Sequence, residues 1–378
     1  VESVATQCSD GSDNDGDGLV DMNDSGCSSP TDDDEYNAPP TQNAQFIVTV
    51  KSIGTADTVV ENQKNVNLLR FEGRTEATTL DDVLFTKAAF SAETGSPNNA
   101  QNYMLWVDTD QSGSVDTILQ NGVAAQDGVI TFANLLGGGY VVPRDQTVLF
   151  EVHADIASSL VNNQLQLQFN TANLEYIQAE HVGNGTSLTG IKTDGSCNNG
   201  LACDIEVTTT PSKLYTIYNQ GNLYVTKDTI PTRERQLLGS TLGDAVLRLN
   251  LRAELEDVEV TNLYFTNSGS TAQSVDRLEL YRPGETTPFA IASIGGCGPL
   301  PVPPNTMCAL MQTQQLKIPK DGNVQVLVRP RMKTDTDGAV SGEAIRLFVS
   351  GNVNDGYVQA RGVISSTTLQ QNDYDTIP

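Results

Sequence analysis

The chain has 378 residues, 22 Lys+Arg against 47 Asp+Glu, a formal charge of −25 and a pI near 4.2. A nucleic-acid binder needs a basic face to displace phosphate counterions, so this balance argues against a nucleic-acid partner. No run approaches the roughly eighteen apolar residues of a membrane helix, and the opening VESVATQ lacks the apolar core of a signal peptide, so the chain reads as soluble and already processed. With 32 Gly, 16 Pro and many Thr, Asn, Val and Leu, it suits short strands and turns, and an all-β protein of two or three domains is expected.

Residues 1–40 hold eleven carboxylates and no Lys or Arg. Such a segment repels itself unless something neutralises it. From Asp13 the sequence runs DNDGDGLVDMND, which sets Asp13, Asp15, Asp17, Asp21 and Asp24 at the carboxylate positions of a calcium loop. Gly18 falls at the sharp turn, and the Leu19 carbonyl at the backbone-ligand position. The preceding TQCSDGS is no amphipathic helix, so this is not a helix-loop-helix hand; a solvated acidic tail is the bland alternative. The motif resembles thrombospondin type-3-like calcium repeats. The stretch CSDGSDNDGDGLVDMNDSGCSSPTDDDE is similar to the cysteine-bracketed module near the start of many secreted bacterial surface proteins.

The six cysteines form three sequence-local pairs, Cys8 with Cys27, Cys197 with Cys203 and Cys297 with Cys308. They show neither zinc spacing nor neighbouring histidine, which leaves disulfides and an oxidising, extracellular location as the leading reading. A Cys8–Cys27 bridge is expected to contribute roughly 3 kcal/mol by chain-entropy reasoning.

Further along, NYMLWVD places Tyr103, Leu105 and Val107 on one strand face and Met104 and Trp106 on the other. Trp106 is read as packing, with stacking on a sugar ring as the alternative. Asp108, Asp110, Ser112 and Asp116 repeat the spacing of the first calcium loop, with Gly113 at the turn but Leu119 where the bidentate ligand belongs; a polar hairpin turn explains the same letters. His153 falls on the polar face of a strand and is expected to be exposed, and His181 ends the first half. No nucleophile elbow, zinc-protease or P-loop motif is found. Glu76 and Glu254 sit on polar strand faces and offer at most a weak case for paired-carboxylate hydrolysis.

The two halves match. VPRDQTVLFEV (142–152) aligns with IPKDGNVQVLV (318–328), LLRFEGRTE (68–76) with VLRLNLRAE (246–254), DDVLFTK (81–87) with EDVEVTN (256–262), and YIQAE (176–180) with YVQAR (357–361). Colinear matches mean two copies of one domain. Apolar residues alternate within each, as in Leu247, Leu249, Leu251, Ala253 and Leu255, so half-buried antiparallel strands are expected, six to eight per copy. The expected architecture is two tandem immunoglobulin-like or jelly-roll β-sandwiches: an acidic calcium segment 1–43, copy one 44–181, a connecting segment 182–220, copy two 221–362 and a terminal strand or linker 363–378. The pattern resembles tandem β-sandwich repeats of bacterial surface proteins, including those of candidate-phylum bacteria, and that resemblance implies a surface location more than an activity.

The expectation is a non-catalytic, Ca2+-stabilised structural protein of the cell exterior, a filament, stalk or surface-layer subunit. An adhesin or carbohydrate-binding protein is the alternative, and a secreted hydrolase is third. The partners expected are further copies of the chain, joined by strand addition from Phe46–Val50 or Thr376–Pro378, or a cell-surface glycan.

Overall fold

The computed structural model describes residues 6–12, 14, 20–23, 27–33, 45–76, 81–172, 175–193, 196–197, 203–208, 212–227, 236–267, 274–297, 306–312, 315–349 and 358–369, with backbone alone at 196–197 and 348. Among these residues the regular structure is strand, apart from short 3-10 turns. In chain order the strands are β1 Phe46–Lys51, β2 Ala56–Val60, β3 Val66–Thr75, β4 Val83–Gly95, β5 Ala100–Val107, β6 Thr117–Val123, β7 Val129–Phe132, β8 Tyr140–Val142, β9 Thr147–Ile156, β10 Gln164–Phe169, β11 Ile177–His181, β12 Ile191–Thr193, β13 Ser196–Cys197, β14 Ile205–Thr208 and β15 Leu214–Tyr218. They continue with β16 Asn222–Lys227, β17 Leu247–Glu254, β18 Val258–Asn267, β19 Val275–Tyr281, β20 Ala290–Ile294, β21 Thr306–Leu310, β22 Lys317–Ile318, β23 Asn323–Met332, β24 Leu347–Phe348, β25 Val358–Gly362 and β26 Thr368–Leu369.

Alternation drives these elements. In β10 Leu165, Leu167 and Phe169 are buried while the glutamines between them face outward. In β17 Leu247, Leu249, Leu251 and Ala253 do the same. The alternation expected through Leu255 ends one residue earlier, because Leu255 sits at φ 73 in the turn to β18. Each copy holds more strands than the six to eight expected, since several are only two to five residues long.

The first sandwich pairs a sheet of order β13-β12-β14-β1-β3-β9-β5-β6 with one of order β11-β4-β10-β15-β2, to which β7 and β8 add on β4. The stretch 182–220, expected to connect the copies, supplies four of these strands. β14 runs parallel to β1 with Ile205 opposite Phe46, and β15 runs parallel to β2. Ile205, Val207, Tyr215 and Ile217 alternate with polar residues, and burying them against the first core outweighs leaving them as linker. β1 is hydrogen-bonded on both edges, to β14 and β3, so Phe46–Val50 is spent within its own chain and is not a free donor strand.

The second sandwich repeats the frame. Its β16-β17-β23-β19-β20 matches β1-β3-β9-β5-β6, and β18 carries β21, β22 and β25 where β4 carries β7, β8 and β11. The register repeats as well. Val152 faces Leu69 and Leu105, and Val328 faces Leu247 and Leu280. β20 also pairs with β21 and so joins the two sheets.

Each copy has its own core. The first is aromatic: the rings of Phe71 and Phe150 stack at 5.1 Å, and Phe169 lies 4.7 Å from Phe90. Gly73 makes room for it, since a Cβ there would lie 3.0 Å from Phe46 and 3.2 Å from Phe150. The second core is aliphatic, with Leu249, Val326 and Leu223 at the register positions of Phe71, Phe150 and Phe46. The freed volume is taken by Leu251 where the first copy has Gly73.

At the base of the second sandwich Glu256 is fully buried. Its carboxylate accepts the backbone N–H of Gly221, Ile364 and Ser365 and the Ser365 hydroxyl, all between 2.7 and 2.9 Å. One side chain thereby ties the entry to β16 to the turn after β25.

Candidate metal loop and outer sheet face

β5 and β6 are antiparallel neighbours, and the Asp-rich loop joins them as a hairpin. Asp108 extends β5 by one residue, donating its N–H to the Leu149 carbonyl at 3.0 Å, and is buried. Its carboxylate turns into the loop and accepts Ser112 N–H at 3.1 Å and Gly113 N–H at 2.7 Å. Asp110 accepts Ser112 N–H at 3.0 Å, and Asp116 accepts the Thr109 hydroxyl at 2.8 Å. Gly113 sits at φ 84, where a Cβ is strained, so the sharp turn needs glycine.

These bonds bring one oxygen each from Asp108, Asp110 and Asp116 within 4.8 Å of one another. Hydrogen bonds from Ser112 hold the Asp110 carboxyl below its usual value although Asp116 opposes this, and hydrogen bonds from Thr117 and Thr109 do the same for Asp116. Three hard carboxyl oxygens this close together suit a cation such as Ca2+, which takes six to eight oxygens at about 2.3–2.6 Å. Ser112 stands beside them, its hydroxyl donating to the Ser114 carbonyl at 3.3 Å. Leu119 is buried in β6 and offers no ligand.

The loop forms one wall of a groove of about 450 Å³ across the outer face of the β1-β3-β9-β5 sheet, lined by Lys51, Arg70, Glu72, Gln111, Thr147 and Leu149 among others. Lys51 pairs with Glu72 at 2.8 Å, and Arg70 pairs with Glu151. Burial alone raises the Glu151 carboxyl, but hydrogen bonds from His153 and Arg70 bring it below its ordinary value.

His153 faces outward as expected yet is only 9% exposed. Its Nε2 lies 2.6 Å from Glu151 and its Nδ1 2.9 Å from Asn65 Oδ1, with the Trp106 ring 5.7 Å away. Neighbours on adjacent strands cover it, which a one-strand pattern cannot show. Trp106 is half-buried over this network, in keeping with packing.

Of the amino-terminal ligand set, Asp21 is described, its Oδ1 accepting Gly11 N–H at 2.9 Å; Asp13, Asp15, Asp17, Leu19 and Asp24 lie outside the described residues. Disulfides join Cys8 to Cys27 and Cys297 to Cys308, and Cys203 is also disulfide-bonded; the side chain of Cys197 lies outside the described set. His181 is half-buried at the end of β11. Glu76 pairs with Arg74 and Glu254 with Arg252, each on its own strand.

Sequence reasoning missed a cluster on the second sandwich. Glu279 is buried and accepts Arg331 Nε at 2.5 Å, Arg277 Nε at 3.1 Å and the Tyr281 hydroxyl at 2.6 Å. Burial pushes its carboxyl up, but the hydrogen bonds from Arg331 and Tyr281 and the adjacent positive charge bring it down to about 2. The signal was present in DRLELY and VRPRM, whose charged residues fall at alternate positions on neighbouring strands.

No family model matches the chain, and no curated protein matches it. Among solved structures, the seventh ScaB type I cohesin from Pseudobacteroides cellulosolvens is 9% identical, covering 52% of this chain and 100% of its own, with a TM-score of 0.23. A partial N-terminal region of an enterococcal surface protein is 8% identical over 80% of this chain and 88% of its own, with a TM-score of 0.24. The C-terminal domain of the Streptococcus pyogenes antigen I/II-family protein AspA is 8% identical over 88% of this chain and 98% of its own, with a TM-score of 0.26. No helix among the described residues is long and apolar enough to cross a membrane.

Proposed function

We propose that this chain is a non-catalytic structural protein of the cell exterior, a Ca2+-stabilised subunit of a filament, stalk or surface layer. The observation that carries the reading is the convergence of Asp108, Asp110 and Asp116 on one point, in a chain whose disulfide-closed amino-terminal segment holds a second loop of the same spacing. Calcium has two tasks here. It cancels repulsion among the carboxylates, and it turns metal affinity into folding free energy for a short acidic segment. Disulfides fit an oxidising, extracellular setting.

Negative-stain electron microscopy of the purified protein, in millimolar calcium and in chelator, tests this. Ordered filaments or sheets with calcium, lost in chelator, are expected. Monodisperse two-lobed particles in both conditions overturn the reading. They favour instead an adhesin that holds a glycan in the polar groove beside the Asp108 loop, whose Lys51, Arg70, Glu72 and Gln111 offer hydrogen bonds to sugar hydroxyls.

A further inference from the structure

The outward face of the β17-β23-β19 sheet collects basic residues. Arg248 and Arg252 stand on β17, Arg329 and Arg331 on β23 and Arg277 on β19, and Lys333 follows at the next alternate position. Six of the chain's 22 basic residues share one sheet face of a protein with a net charge of −25. The side chains of Arg252, Arg277 and Arg331 are 55%, 37% and 34% exposed.

The first sandwich carries arginines at two of these positions, Arg70 and Arg74 standing for Arg248 and Arg252, but not at the others. By register Arg331 stands where the first copy has Asp155, Arg329 where it has His153, and Leu327 and Asn250 where it has Glu151 and Glu72. Arg277 and Arg331 are also direct cross-strand partners. Like charges placed so are destabilising unless something lies between them. Buried Glu279 fills that role for both, and Arg329 lies 5.2 Å over the Tyr281 ring beside them. Among the described residues the other acidic groups on this face are Asp276, paired with Arg277, and Glu254, paired with Arg252. Even with Arg248 left aside, the described cations there outnumber the described carboxylates.

The matching charge lies in the same chain. Residues 1–40 carry eleven carboxylates and no Lys or Arg, and a bound divalent cation removes only two of those charges. We propose that the acidic amino-terminal module of one copy docks on the arginine-bearing face of the second sandwich of another copy. The inference rests on the assembly reading above and supplies its contact. The two surfaces differ, so the contact is heterologous and propagates head to tail into a chain or ring.

Sedimentation velocity on full-length protein in calcium and low salt tests it. One variant, Arg252→Glu with Arg277→Glu, reverses the face. A second, Asp33→Lys with Asp34→Lys and Glu35→Lys, takes the module's side-chain charge from −11 to −5. Arg277 also holds Glu279, so Arg252→Glu with Lys333→Glu serves as a face variant that leaves the Glu279 partners in place. Wild type is expected to associate, more weakly as salt rises. Each variant alone is expected to associate at least about tenfold more weakly, and a mixture of face and module variants to form a one-to-one dimer through the single intact pair of surfaces. Variants that associate like wild type, or a mixture that stays monomeric, overturn the docking while leaving the assembly reading standing. A wild type that is monomeric at every concentration overturns both.

Discussion

The two sandwiches put equivalent strands in equivalent order and fill the same positions with opposite chemistry. Phe71, Phe150 and Phe46 become Leu249, Val326 and Leu223 inside; His153 and Asp155 become Arg329 and Arg331 outside. The hairpin between β5 and β6 carries an Asp-rich loop, whereas its counterpart between β19 and β20 has Glu285 as its one carboxylate. The period of two decides which face is wet and which is dry; it leaves ring against aliphatic, and acid against guanidinium, free to diverge. The outer face keeps Arg70 and Arg74 as Arg248 and Arg252 but replaces Glu72, Glu151 and Asp155 with Asn250, Leu327 and Arg331, so its charge balance shifts while the frame stays fixed.

The largest effects test whether the cores are as separate as their contacts imply. Phe71 touches the rings of Phe85, Phe90, Phe150 and Phe169, so Phe71→Ala is expected to cost about 3–5 kcal/mol. Leu249→Ala should cost about 2–5 kcal/mol by the same transfer and cavity terms. Scanning calorimetry should show the first substitution lowering one transition and the second lowering another. A single transition moved by both would mean that the two copies unfold together.

Next comes the base of each sandwich. Glu256 satisfies three backbone donors and a hydroxyl while fully buried, and its counterpart Asp81 accepts Gly183 N–H in a more exposed turn. Glu256→Gln exchanges two acceptor oxygens for an amide that accepts at only one end, and is expected to cost about 2–3 kcal/mol in urea denaturation of the second copy. Asp81→Asn should cost about 1 kcal/mol or less in the first. Equal losses would remove the distinction between a buried hub and a surface turn.

The sequence was most legible where one strand carries its own evidence. The runs Leu165-Leu167-Phe169 and Leu247-Leu249-Leu251 specify their buried faces without help from partners, and the colinear matches between halves foreshadow the repeated strand order. The hairpin turn at Asp108–Asp116 was legible because the spacing of turn residues is a local property. What depended on partners was not. His153 is covered by Trp106 on β5 and Asn65 in the turn before β3, and the Glu279 cluster draws on both β19 and β23. β14 and β15 hid in a Gly/Asn/Thr-rich stretch because a four- or five-residue strand carries only two inward positions, and their parallel pairing to β1 and β2 spans more than a hundred residues.

Acid titration sharpens the contrast between the outer faces. The folded Glu279 carboxyl is held at about 2 against an ordinary 4.5, so its stabilising contribution is complete above the ordinary value and is lost as pH falls from there toward 2. Glu279→Gln should flatten that part of the acid-unfolding curve of the second copy, followed by circular dichroism. Glu151, held low by His153 and Arg70 after burial is overcome, gives the first copy a loss of the same sign, so Glu151→Gln should flatten the corresponding part of its curve. An unchanged acid limb in Glu279→Gln would remove the carboxylate from the account of the arginine-bearing face.

The smallest expected effect concerns one register position in its two forms. Trp106 lies over His153 at 5.7 Å, and Tyr281, its counterpart, lies over Arg329 at 5.2 Å. A guanidinium is permanently charged and planar, so its contact with the ring face is expected to contribute about 0.5–1 kcal/mol. Tyr281 also donates its hydroxyl to Glu279, so the ring must be separated from the hydroxyl. A double-mutant cycle pairing Arg329→Gln with Tyr281→Phe should retain the coupling, because the ring remains, whereas pairing with Tyr281→Leu should abolish it. If Phe loses the coupling as fully as Leu does, Arg329 is held through the Tyr281–Glu279 hydrogen bond rather than by the ring, and the two copies would not share an aromatic shelf at this position.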